Sequence, residues 1–156
     1  HAGLTLKDVT LINVNFNLTA ALMAGQVHAV IGAYRNFELN ELALEKRNGR
    51  AFFVEDNGVP KYDELILVQQ SGGAFAKTDR PQRLLAALRE ATVWLKAHPD
   101  EAWQIFAKSG KEVDNELNKL AWRDTIPLLA DDPAQYDAAR SAAFHAFLKA
   151  RGLVKK

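Results

Sequence analysis

The feature that most constrains this chain is an alternation that runs through residue 70 and then stops. Short, continuous apolar runs rich in β-branched and aromatic residues take turns with helix-period stretches, and Asn, Gly or Pro marks each change. Residues 9–14 (VTLINV), 27–31 (VHAVI), 51–54 (AFFV) and 64–68 (ELILV) read as four buried strands. After the first run, Asn17 is placed to cap a helix through Leu18, Ala21 and Leu22, which Gly25 would stop. After the second, a helix over 37–46 carries Leu39, Leu42 and Ala43, and Asn48-Gly49 would end it. A β-α-β-α-β order implies right-handed crossovers. Strands that are apolar throughout imply helices on both faces, hence a mostly parallel sheet of the α/β class.

The pattern changes at Ser71-Gly72-Gly73, a flexible connection. A helix over 83–97 follows, with Leu84, Leu88, Ala91 and Leu95 on one face. Pro99 opens the next, with Trp103 and Phe106 on its apolar side and Gly110 at its close. Residues 117–129 form a third. Asp132-Pro133 would start the last, which draws its apolar positions from Tyr136, Ala143, Phe144, Phe147 and Leu148 before Gly152 ends it. Trp94, Trp103 and Trp122 all fall in these helices and read as core. The chain therefore divides into an α/β part, 1–70, and a helical part, 71–156.

Composition excludes several functions. With a net charge of +1, the chain lacks the concentrated basic excess of a nucleic-acid binder. The basic end, Lys149, Arg151, Lys155 and Lys156, reads as a solvated helix terminus. No cysteine is present, which excludes thiol catalysis, thiolate-bound metal and disulfides. No apolar run approaches the roughly 20 residues that cross a bilayer. The chain starts at His1 rather than Met, with strand-like sequence soon after, so further sequence upstream is expected.

No catalytic constellation emerges. His28, His98 and His145 are far apart, and His28 inside an apolar run reads as a structural histidine. No metal set or cofactor motif is found. In an open parallel sheet, ligands bind beyond the carboxyl ends of the strands. Those ends would carry Asn15, Phe16 and Asn17, then Tyr34, Arg35, Asn36 and Glu38, then Glu55, Asp56 and Asn57. The first two groups suit a flat, nitrogen-rich heterocycle. Tyr34 or Phe16 can stack on it, Asn36 can donate and accept, and Glu38 can accept from an amine and a protonated ring nitrogen together. Each has a plainer reading as well: Asn17 as a helix cap, Phe16 as core, Glu38 as an acid at a helix start.

The stretch VNFNLTAALMAGQVHAVIGAYRNFELNEL, residues 14–42, resembles the thiamin-pyrimidine-binding proteins and their relatives, the pyrimidine synthases of thiamin biosynthesis. The resemblance implies part of a type II periplasmic-binding-protein fold, with 1–70 in the second lobe and 71–156 crossing a hinge to helices on the first. It implies the solute-binding component of an ABC importer, periplasmic or held to the membrane as a lipoprotein, with an inner-membrane permease as partner. Its ligand would be a thiamin-precursor pyrimidine of the hydroxymethylpyrimidine or formylaminopyrimidine type, bound without cofactor or metal. Tyr34, Asn36 and Glu38 match the family's Tyr, Asn and Glu. His28 stands where Asp is frequent, Ala33 replaces a glycine, and Arg35 replaces an aromatic residue in several relatives.

Three other functions stay open. Synthases of this family build the pyrimidine from pyridoxal phosphate and a histidine with iron, but they carry a cysteine-rich motif. Sister families bind other small ligands such as sulfonates, and some regulators use the same architecture as an effector domain. An open sheet edge with an apolar face would also favour pairing with a second copy as a dimer.

Overall fold

A computed structural model describes residues 3–154; Lys155 and Lys156 of the basic end lie outside the described residues. Among the described residues six α-helices run in order: α1 Leu18–Met23, α2 Glu38–Leu44, α3 Arg80–Ala97, α4 Pro99–Ala107, α5 Glu116–Thr125 and α6 Ala138–Ala150. Short 3-10 turns lie at Leu6–Asp8, Val54–Asn57 and Ile126–Leu128.

The expected parallel sheet is absent: no β-strand occurs among the described residues. Residues 9–14, 27–31 and 64–68 take neither helix nor strand, and the run at 51–54 leads into the turn starting at Val54. The reason lies in hydrogen bonding. A strand exists only when its backbone groups meet a neighbouring extended segment, but outside the helices every backbone–backbone bond joins residues five or fewer apart. Most apolar side chains of these runs stand in solvent, with Ile31 93% and Leu65 88% exposed, while Val14, Val27, Val30 and Phe53 are partly covered. His28, read as a structural histidine within a strand, is likewise exposed.

The helices follow local chemistry more closely. Asn17 precedes α1 as expected, though its side chain makes no cap bond. Gly25, at φ +68°, ends the helix in the left-handed conformation that glycine adopts without strain. α2 stops earlier than Asn48-Gly49 because Lys46 takes the left-handed position at φ +56°, and Arg47 N–H closes back on the Leu42 carbonyl at 2.8 Å. Gly49 serves a different purpose. A Cβ there would fall 2.7 Å from Leu42 Cδ1 and 2.9 Å from Leu39 Cδ2, so a larger residue would have to push the ends of those two leucines aside.

Pro99 opens α4, where its missing N–H costs nothing. α5 begins at Asn115, whose side chain accepts from Asn118 N–H at 2.8 Å. It ends where Pro127 removes a donor. The last helix starts at Asp137 rather than Asp132. The Asp132 carboxylate is occupied by Arg89, whose Nε and Nη2 donate at 2.9 and 2.8 Å, and by Ala134 N–H.

The buried apolar side chains are few: Ala21, Leu42, Ala102 and Trp103. They belong to a chain of helix contacts in which α1 packs on α2, α2 on α5, α5 on α4 and α4 on α3. Trp103, Phe106 and Trp122 form an aromatic cluster where α4 meets α5, with Phe106 and Trp122 stacked at 5.0 Å. Farther along, Tyr62 stacks on Phe144 at 4.5 Å and Asp63 pairs with Arg140. Tertiary structure is thus carried by side chains bridging helices.

Candidate functional site

With the sheet absent, the sequence-derived site residues are not placed at strand ends. They fall in two helix-leading turns. Asn15, Phe16 and Asn17 form the turn before α1. Asn15 sits at φ +50°, its N–H taken by the Asn13 side chain at 2.9 Å, and Asn17 N–H bonds the Val14 carbonyl. Phe16 is 100% exposed, so the core alternative does not describe it. No hydrogen bond or aromatic contact joins this turn to the second group among the described residues.

The second group, Tyr34 to Glu38, is organised by its own polar atoms. Glu38 lies in the first turn of α2, and its Oε2 reaches back to accept from Tyr34 N–H at 2.6 Å. The Tyr34 carbonyl in turn accepts from Phe37 N–H at 3.1 Å and Glu38 N–H at 3.0 Å. These bonds bend the five residues into a compact loop. The Tyr34 side chain, 47% exposed, stands at its edge, and Glu38 keeps Oε1 free of protein hydrogen bonds among the described residues.

Arg35 is held away from the loop. Its Nη2 lies 2.8 and 2.9 Å from the two oxygens of Glu55, and its guanidinium lies over the Phe53 ring at 3.8 Å from the centroid. The backbone N–H of Glu55, then the Arg35 guanidinium, hold that carboxyl below its usual range. The Arg35 charge is therefore balanced within the protein.

Asn36 faces the helical part. Its Nδ2 donates to Thr125 Oγ1 on α5 at 2.7 Å. Beside it, Asn40 Nδ2 donates to the Asn36 carbonyl at 3.0 Å and to Asp124 Oδ2 at 2.8 Å. Hydrogen bonds from Arg123, then from Asn40, hold the Asp124 carboxyl below its usual range. Asn40, Asp124 and Thr125 are the residues that sequence reasoning missed. The Asn36–Thr125 and Asn40–Asp124 pairs join residues 89 and 84 positions apart, and no local motif announces either pairing. Thr125 also lines a shallow hollow of about 240 Å³ with Phe106, Asn118, Ala121 and Trp122.

Tyr34 offers an exposed ring, and Glu38 Oε1 and Asn36 Oδ1 are acceptors without a protein hydrogen bond among the described residues. Among the described residues, no three His, Asp or Glu side chains gather as a metal site, and no helix is long and apolar enough to cross a membrane.

Residues 1–102 match the NMT1/THI5-like family, and the chain belongs to it. It is 52% identical over 155 residues, 99% of its length, to a Haemophilus influenzae protein named for thiamine biosynthesis, of which it covers 49%. It is 30% identical over 134 residues, 83% of its length, to a formylaminopyrimidine-binding protein of Halalkalibacterium halodurans, of which it covers 39%. The chain thus spans about half or less of the curated relatives it matches. No solved structure matches it.

Proposed function

We propose that this chain is the ligand-recognising portion of a solute-binding protein for a thiamin-precursor pyrimidine. The ligand is of the hydroxymethylpyrimidine or formylaminopyrimidine type and is delivered to the permease of an ABC importer. The protein works outside the inner membrane, in the periplasm or as an anchored lipoprotein, and performs no chemistry on its ligand. The observation that carries the reading is the Tyr34–Glu38 loop, where an exposed ring, an amide and a carboxylate occupy five residues. Likeness to a formylaminopyrimidine-binding protein supports the choice of ligand. Tyr34 stacks on the ring, Glu38 takes the amine and an adjoining ring nitrogen through its uncommitted oxygen, and Asn36 adds a bond through its amide. Asn15, Phe16 and Asn17, in the turn before α1, add further ligand contacts in this reading. The exposed apolar runs, including Ile31 and Leu65, favour self-association with a second copy. A monomer by light scattering at high concentration would remove that part of the reading.

The test of the ligand is mass spectrometry on small molecules released by denaturing the purified protein. An aminopyrimidine released in stoichiometric amount supports the proposal, and a sulfonate or another class overturns it. The biosynthetic name of the relative that is 52% identical favours one second reading, a pyrimidine synthase. New pyrimidine formed from pyridoxal phosphate and iron would establish it in place of the first.

A further inference from the structure

An asparagine amide can face a neighbour with either its oxygen or its nitrogen, and the surrounding hydrogen bonds decide which. For Asn36 the deciding group is Thr125. The Thr125 hydroxyl donates to the Ala121 carbonyl at 2.6 Å, one turn back in α5. A hydroxyl has a single proton, so toward a second partner it can only accept. The Asn36 amide therefore meets it with nitrogen, at 2.7 Å. A reversed amide would set oxygen against oxygen, or would take the Thr125 proton away from Ala121. The backbone is held as well, because Asn40 Nδ2 ties the Asn36 carbonyl to Asp124 on the same helix. The oxygen, Oδ1, accepts no protein hydrogen bond among the described residues.

We propose that Thr125 is a positioning residue that sets ligand specificity: it orients the Asn36 amide so that the site presents an acceptor, which selects a ring bearing an N–H donor. The inference rests on reading the Tyr34–Glu38 loop as the pyrimidine site. An exocyclic amine satisfies Oδ1, whereas a ring with hydrogen in that position leaves it unpaired. Leaving an acceptor without its bond costs roughly a factor of ten in affinity.

The test measures dissociation constants for 4-amino-5-hydroxymethyl-2-methylpyrimidine and for the same ring with hydrogen replacing the amine. The parent and Thr125→Ser, which keeps the hydroxyl, should prefer the amine about tenfold beyond the share that its bond to Glu38 contributes. Thr125→Val keeps the shape but frees the amide, and its preference should fall by the share that Asn36 contributes, about tenfold, leaving the share that Glu38 contributes. Thr125→Ala repeats the test with a residue of higher helix propensity, should the valine variant fold poorly. A merely structural role would weaken both ligands equally in the valine variant and leave the ratio intact, which overturns the proposal, as does loss of the ratio in Thr125→Ser. The side-chain amide NMR resonances of Asn36 give a ligand-free readout. Thr125→Val should shift them and Thr125→Ser should not, and resonances unmoved by the valine overturn the orientation claim. A parent that binds neither pyrimidine while the valine variant still shifts those resonances means that the ligand reading has failed, and the specificity claim with it, although the amide is oriented as described.

Discussion

The corner where α4 meets α5 and the stretch from residue 9 to residue 31 are both rich in large apolar residues, yet they end in opposite states. At the corner, Trp103 is 6% exposed and packs with Phe106 and Trp122. In the earlier stretch, Phe16 is 100% and Ile31 93% exposed. Composition does not separate the two regions; the reach of their backbone bonding does. A helix satisfies its N–H and C=O groups within its own residues, so an amphipathic segment needs only a second helix to cover its apolar face. A β-branched run must find a partner strand before it forms anything. Here the helical segments found cover and the β-branched runs did not.

The largest expected effect tests this contrast directly. Trp103→Ala should cost about 3–5 kcal/mol, the usual penalty for deleting a buried tryptophan. Ile31→Ala should change stability by less than about 0.5 kcal/mol, as for an exposed surface position. Urea denaturation of the two variants reads both. Comparable losses would mean that the 27–31 run is buried after all.

Acid should erode the polar bridges next. Asp124 and Glu55 have folded-state values below their ordinary 3.8 and 4.5, so near and below those values the folded state binds fewer protons than the unfolded state. Their contribution is complete above about pH 5 and is lost as the pH falls through the folded values. Thermal melts should therefore drop as the pH falls below about 5, and Asp124→Asn should flatten part of that slope. The drop should be smaller than the Trp103→Ala loss, because both carboxylates are partly solvated. A slope unchanged in Asp124→Asn would remove that carboxylate from the α2–α5 bridge.

A smaller effect is expected at Lys46. It holds a left-handed conformation at φ +56° that costs a side chain energy. Lys46→Gly relieves that cost but gives back unfolded-state entropy, for a net gain of a few tenths to about 1 kcal/mol. A loss of stability on calorimetric melting would mean that α2 ends differently.

The same division accounts for what could be read in the sequence. Asn17, Gly25 and Pro99 mark helix ends through chemistry within a few residues, and the structure uses all three positions. α2 closes through Lys46 in the left-handed position, and Gly49 lies against Leu39 and Leu42 instead of ending the helix. Asp132 looked like a helix start, but Arg89, 43 residues earlier, occupies it. The four strands were misread because a run of Val, Ile and Leu records local preference and says nothing of a partner. At the candidate site, Tyr34, Asn36 and Glu38 were singled out together by the family resemblance, and they lie in the turn that leads into α2 and in its first residue. The hold of Thr125 on Asn36 was not, since only tertiary packing brings residues 89 positions apart together.

The central claim is that the Tyr34–Glu38 loop recognises an aminopyrimidine through Glu38, and calorimetric titration of Glu38→Gln tests it most directly. Glutamine keeps the size, and its amide oxygen can still accept from Tyr34 N–H, so the loop should persist. What is lost is the charge that a protonated ring nitrogen meets, a charge-assisted bond worth about 1.5–3 kcal/mol. The account predicts affinity lower by about one to two powers of ten, a loss that varies with ligand protonation across pH, and a melting temperature changed only by the helix-dipole share of about 0.3–1 kcal/mol. A Glu38→Gln variant that binds the pyrimidine as tightly as the parent but melts several degrees lower would contradict it, leaving Glu38 as the residue that closes the loop and nothing more.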